Sequence, residues 1–255
     1  MRSMKVLSLA IVATLTAAVA AGASPGSQGR PALPPGAVKI AEDTYALGKR
    51  SWHGVEVEGI AFVYRAKTGQ GTRKSGGSCF AYLASGAKWR SPEPWSVDES
   101  GAPVSGMAGL MTADVGTWES AAGANIFGDG KSDSSYDAVT TGVDGRSGAE
   151  FGPIADADVI AVTYTWGVFG GPPKDRELVE WDMVFDSDTF AWSATGAPDA
   201  MDFRSIDTHE LGHAMGLGHP ASTCTEETMY AYASLGETKK RDLNAGDIVG
   251  IAGLY

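Results

Sequence analysis

Residues 209–220 read His-Glu-Leu-Gly-His-Ala-Met-Gly-Leu-Gly-His-Pro, and no other stretch restricts the fold of this chain so tightly. His209 and His213 are four apart, so on a helix they share one face, about one turn (roughly 6 Å of rise) from each other. That spacing lets two imidazoles close on one tetrahedral zinc ion at ~2.0–2.1 Å. Gly216 can turn the chain out of the helix, because a positive φ costs little without a Cβ. His219 then arrives as a third ligand. Three neutral histidines leave one zinc position open, which separates a catalytic site from a closed structural one. Glu210 stands beside the first ligand, placed as general base toward zinc-bound water, whose pKa the metal lowers from 15.7 to about 7. Whatever the fold, it must supply a helix that carries two of these residues and a turn that returns the third.

The start of the chain reads as an address. Met1 to Ala10 holds Arg2 and Lys5 and no acid, Val6 to Ala21 is apolar and Ala-rich, and small-x-small cleavage sites stand at Ala18-Val19-Ala20 and Ala21-Gly22-Ala23. Residues 1–23 are therefore expected to be a secretory signal peptide, the run being too short for a membrane span. No later segment reads as a membrane anchor. The protein is expected outside the cell. Lys and Arg total 20 against 31 Asp and Glu, and the resulting net charge of −11 argues against a nucleic-acid surface. Cys79 and Cys224 are the two cysteines, and in an oxidising compartment an even count reads first as one disulfide. Such a bridge is worth roughly 4–5 kcal/mol in the chain-entropy treatment. A Cys79 thiolate capping the metal in a latent precursor, and two free thiols, are the alternatives.

Ser24 to Gly36 and Thr68 to Ser78 are rich in Gly, Ser and Pro and read as flexible stretches. Between them, Thr44–Leu47 and Val55–Tyr64 predict a hairpin. Residues 24–78 are thus expected to be linker plus a short N-terminal segment, either a removable pro-segment or an added edge, ahead of a main domain over 79–255. Phe80–Leu83 and Trp89–Val97 read as strand or loop, and Met111–Ala122 as a helix with Val115 and Trp118 on one side. Asn125–Glu150 is loop-like, with a short strand allowed at Ala138-Val139-Thr140. Val159–Trp166 is the strongest strand, followed by Leu178–Phe185. The metal helix should start at Asp199 or Asp202 as N-cap and bury Ile206, Leu211, Ala214 and Met215. A last helix should follow Asn244, with Asp247 three residues on and Ile248, Val249, Ile251, Ala252 and Tyr255 as its apolar face.

The long histidine motif resembles that of the metzincin zinc peptidases, which also place a methionine-containing turn beneath the metal. Thr228-Met229-Tyr230 stands at a suitable distance for that turn, with core filling as the other role open to Met229. The Met-Tyr pair, the ending Gly246–Tyr255 and the strand Trp181–Asp186 resemble the matrixin branch, over roughly Lys88 to Tyr255. Gly77-Ser78-Cys79 with Cys224 is similar to the secreted prokaryotic matrixin-like enzymes. The resemblance implies an α+β catalytic domain, with a mixed twisted sheet, an active-site helix and a C-terminal helix. It also implies a monomeric, secreted endopeptidase that acts on extended polypeptides through one zinc, Glu210 assisting attack by zinc-bound water. The substrate would add as a strand beside Val159–Trp166, unless that strand is a buried core strand. Asp156, Asp158, Glu180, Asp182, Asp186 and Asp188 are calcium candidates, each also able to be an ordinary surface or hydrogen-bonded carboxylate. The sequence departs from the animal enzymes. It has no Pro-Arg-Cys-Gly segment, only His53 outside the motif for a second zinc, and Ala231 where astacin-like relatives have a ligating Tyr. The rival readings are a catalytically silent secreted zinc-binding protein of the same fold and a peptidase of another metzincin branch.

Overall fold

A computed structural model describes residues 29–67 and 77–255. The signal peptide read over 1–23, the start of the linker and most of the Gly-rich stretch 68–78 lie outside the described residues. The N-terminal half runs β1 (Val38–Ala41), β2 (Thr44–Trp52), β3 (Val55–Ala66), β4 (Ala81–Tyr82), β5 (Glu93–Asp98), α1 (Met107–Ala122), β6 (Phe127–Ser132) and β7 (Ser147–Gly152). The rest runs β8 (Val159–Val168), β9 (Glu177–Asp186), β10 (Trp192–Ser193), β11 (Met201–Asp202), α2 (Phe203–Ala214), β12 (Leu217–Gly218), β13 (Tyr232–Ala233) and α3 (Ala245–Leu254).

Among the described residues, nine strands form one mixed sheet in the order β1-β2-β3-β8-β9-β7-β5-β6, with β13 joined to β3. β6, β5, β7 and β9 are mutually parallel; β8 runs antiparallel to β9, and β3 antiparallel to β8. The fold is α+β. β8 and β9 are buried on both faces, so both faces of the sheet are covered there. One face carries the helices, packing Trp118, Phe203, Ile206, Leu211 and Met215 onto Trp181, Met183 and Phe185. On the other, Leu47, Val57, Ala61 and Val63 of β2 and β3 continue the apolar face of Tyr164, Trp166 and Val184, and Ala32, Tyr136 and Ile154 join them in one cluster.

The structure corrects several expectations. Val159–Trp166 is not an edge: β3 pairs along its outer side from Glu58 to Arg65. The reason lies in β3 itself, where Val57, Ala61 and Val63 are apolar on one face and Phe62 and Tyr64 on the other, so both must be buried. β1–β3 thus extend the main sheet. Ala138-Val139-Thr140 is not a strand, because the Val139 N–H is turned to the Asp182 carboxylate at 3.2 Å. The Gly-rich region around it instead holds β6 and β7. A Cβ at Gly130 would meet the Trp95 ring at 2.2 Å, and one at Gly148 the Ser96 carbonyl at 2.2 Å, so glycine there serves close packing. On α3, Gly250, Ile251 and Leu254 face inward while Ile248 and Val249 are exposed.

The local signals at the metal helix hold. Asp202 caps α2 by accepting the Ser205 N–H at 3.0 Å, and Arg241 pairs with the same carboxylate. Asn244 and Asp247 form a reciprocal capping box on α3.

Candidate metal centre

α2 is buried from Ser205 to Ala214, so the His209/His213 face points into the protein rather than to water. The helix stops where Gly216 takes φ +102°, and a Cβ there would strike the Ala87 carbonyl at 2.6 Å. The chain reverses through β12, and His219 comes back to the same point. His213 Nε2 lies 3.1 Å from His209 Nε2 and 3.1 Å from His219 Nε2. Each Nδ1 faces a carbonyl: Thr228 at 2.7 Å for His209, Leu217 at 2.9 Å for His213, and Glu42 at 3.4 Å for His219. Carbonyls only accept, so the ring protons sit on Nδ1 and three Nε2 lone pairs converge. Converging lone pairs repel unless a cation lies among them. Tetrahedral zinc with ligands at ~2.0–2.1 Å sets nitrogens about 3.3 Å apart, so the donor set fits. Burial lowers the His209 and His213 pKa values well below 6.5 and that of His219 to about 4, keeping the ligands neutral.

Glu210 is fully buried beside these ligands. Its Oε2 accepts the Thr163 hydroxyl at 2.6 Å, and Oε1 is buried without a partner. Burial pushes its pKa up to about 8, against the hydrogen bond from Thr163 and the positive charge of Lys240. A cation held by the histidines would favour the carboxylate form.

Met229 lies under the helix: a Cβ on Gly212 would meet its Sδ at 2.2 Å and Trp118 Cζ2 at 2.9 Å. The turn is held by Asp247, which accepts the Thr228 N–H at 2.7 Å and the Met229 N–H at 3.2 Å. Cys79 and Cys224 are joined in a disulfide, with Cα atoms 5.4 Å apart, so Cys79 is not a free thiol over the metal.

Residues 170–255 match the matrixin (peptidase M10) family model. Over that stretch the chain is similar to matrixins. Metalloendoproteinase 1-MMP of Arabidopsis thaliana is 44% identical over 57 residues, 22% of this chain and 15% of that protein. Metalloendoproteinase 2-MMP of the same plant is 40% identical over 75 residues, 29% of this chain and 18% of that protein. Matrilysin of Rattus norvegicus is 36% identical over 74 residues, 29% of this chain and 26% of that protein. The aligned stretches thus span about a quarter or less of these relatives' lengths. Metalloproteinase-II from Bacteroides fragilis superposes over 84% of this chain and 77% of that one, with a TM-score of 0.36 and 12% identity.

Among the described residues, His209, His213 and His219 are the one group spaced as metal ligands. Among the described residues the calcium candidates form no group of three close ligand atoms, although burial raises the Asp182 pKa and Glu180 lies near enough to raise it further. Asp156 accepts the Ala32 N–H, Asp158 pairs with Arg65, and Asp186 accepts the Ile154, Thr189 and Phe190 N–H groups. Asp188 accepts the Ser187 hydroxyl. Glu180 accepts the Asp144 and Gly145 N–H groups, and Asp182 accepts Tyr136 Oη and Val139 N. Asp182 Oδ2 is buried without a protein partner.

Five residues around the site lie outside the histidine motif. Phe62 and Tyr64 lie on two of the ligands, Thr163 touches Glu210, Asp247 holds the methionine turn, and Lys240 is buried beside Tyr64. Lys240 gives no sequence signal: it stands in Lys239-Lys240-Arg241 like a surface lysine, yet it is 0% exposed while its neighbours reach water.

Proposed function

We propose that this protein is a secreted zinc endopeptidase that cleaves extended polypeptides. The observation that carries the reading is the convergence of three Nε2 atoms beside a buried glutamate whose second oxygen has no protein partner. His209, His213 and His219 would hold the ion, and zinc there supplies Lewis-acid polarisation of a peptide carbonyl and of water. Glu210 takes the proton of the attacking water and passes it to the departing amine nitrogen. Thr163 fixes one carboxylate oxygen, leaving the other for this exchange. Met229 and Asp247 support the ligands from below, and the disulfide, compatible with an extracellular setting, ties the methionine loop to residue 79.

Replacing Glu210 by Ala tests the mechanism. Zinc should remain at one ion per chain while hydrolysis of a denatured protein falls at least about 100-fold, the range of a lost general base. Activity surviving the change would sink the mechanism. A zinc-binding protein without turnover is the second reading, favoured by β3 lying across the histidines; it requires that the unmutated chain also fail in this assay.

A further inference from the structure

An extended peptide over the three histidines is what a peptidase site requires, and one is already there, drawn from this chain. β3 runs antiparallel to β8, setting Phe62 opposite Thr163 and Tyr64 opposite Ala161. On its other edge it pairs in parallel with β13, Arg65 opposite Tyr232, and the Lys67 N–H reaches the Ala233 carbonyl at 2.8 Å. The last residues of β3 therefore lie between the strand that holds Glu210 and the segment following Met229, with both main-chain edges engaged.

Side chains of β3 alternate across the sheet. Val63 faces the far core, while Phe62 and Tyr64 face the ligands. The Phe62 ring stacks on His213 with centroids 3.9 Å apart, and Tyr64 on His209 at 3.8 Å. At the tip of the Tyr64 slot the phenol oxygen accepts from Lys240 Nζ, whose other protons go to the Tyr230 and Tyr232 carbonyls. Lys240 is fully buried, so a vacated slot would leave one proton of a desolvated ammonium without an acceptor. The covalent ring closed by Cys79 and Cys224 does not include β3, so the bridge does not fasten the strand. With β3 in place, the opening beside His219 is a cavity of about 340 Å³ walled partly by Ile40, Thr44 and Phe62. That is room for a small ligand rather than for a polypeptide strand.

We infer that β3 occupies the place of a substrate strand and shields the histidines until displaced, and that the slot it fills selects a phenol-bearing side chain through Lys240. This rests on the peptidase reading for its use, but not for its test. A fluorescent peptide with the sequence of residues 58–67 is titrated into zinc-loaded Glu210→Ala protein, which retains the site without turnover. Weakening the internal strand with Phe62→Ser and Tyr64→Ser should raise peptide affinity at least tenfold. A peptide with Phe in place of its Tyr should then bind about tenfold more weakly, a difference that Lys240→Met should erase. Unchanged affinity in the weakened variant would overturn the inference. Should that variant not fold, hydrogen exchange of the unmutated zinc-loaded chain decides instead. β3 amides exchanging at least 100-fold faster than those of β9 support a displaceable strand, and equal protection overturns it. Restoring Glu210 in the weakened variant separates the two readings: a peptide bound but never cleaved removes the peptidase assignment and leaves the strand's role intact.

Discussion

Removing the Cys79–Cys224 bridge should cost several kcal/mol of stability without changing the fold. The bridged residues are 145 apart in sequence, and the chain-entropy relation then gives about 17 cal/mol/K, or about 5 kcal/mol at 25 °C. Little of this should be offset in the folded state, because the bridged segments are also held by other contacts. The Ala221 N–H reaches the Ser78 carbonyl at 3.3 Å, and the Cys79 backbone fills the notch at Gly246, where a Cβ would lie 2.1 Å from its oxygen. The double variant Cys79→Ala/Cys224→Ala should therefore fold to the same structure and bind one zinc, with the loss appearing in the unfolded ensemble. For a chain of this size, 5 kcal/mol corresponds to a Tm lower by roughly 10–20 °C. Thermal unfolding followed by circular dichroism, with zinc present and with chelator, measures it. A fall of less than about 3 °C would refute the loop-entropy reasoning. Zinc lost far below the new Tm would show that the bridge acts instead by shaping the loop between His219 and Met229.

Two further outcomes follow from the site. Gly212→Ala would ordinarily stabilise a helix by about 1 kcal/mol, yet here it drives a methyl into Met229 and Trp118, and a net loss of roughly 1–2 kcal/mol by denaturant titration is expected; a gain would show that the methionine is not fixed beneath the helix. Zinc affinity should be nearly flat from pH 7.5 to 5.5 in chelator competition and fall only as pH drops toward about 4, where His219 takes up its proton. Three exposed histidines of pKa about 6.5 would instead lose about a thousandfold by pH 5.5, and such a loss would contradict buried, neutral ligands.

How much of this was legible in the sequence depends on whether the signal is local. The Asp202 cap, the turn at Gly216, the Asn244–Asp247 box and the His209/His213 face are each set by residues within a few positions of one another, and the structure has them all. The core strands were also readable, β8 as a nearly continuous apolar run and β9 as an apolar and aromatic run interrupted by Glu180 and Asp182. Partnership was not. The hairpin over 44–64 is evident from its pattern, but nothing in a strand's alternation names the strand it pairs with, and the Gly-rich stretch after it suggests separation. β6 and β7 hide for a related reason: their glycines read as loop until Trp95 and Ser96 are seen pressing on them. Lys240 and Asp247 act on the site from outside the motif, through contacts that exist only once the chain is folded.

Asp247 has a consequence of its own. Its carboxylate grips the Thr228 amide, and the carbonyl of that same residue fixes the imidazole of His209. Between α3 and the helix that carries His209 and His213 there are thus one residue of backbone and two short side chains, Asp247 and His209, both buried and both pinned by hydrogen bonds. Movement of α3 is passed on as rotation of an imidazole, as a stiff crank would pass it. Substitutions on the inner face of α3, at Gly250 or Ile251, can therefore retune the grip on the metal while every ligand stays chemically unchanged.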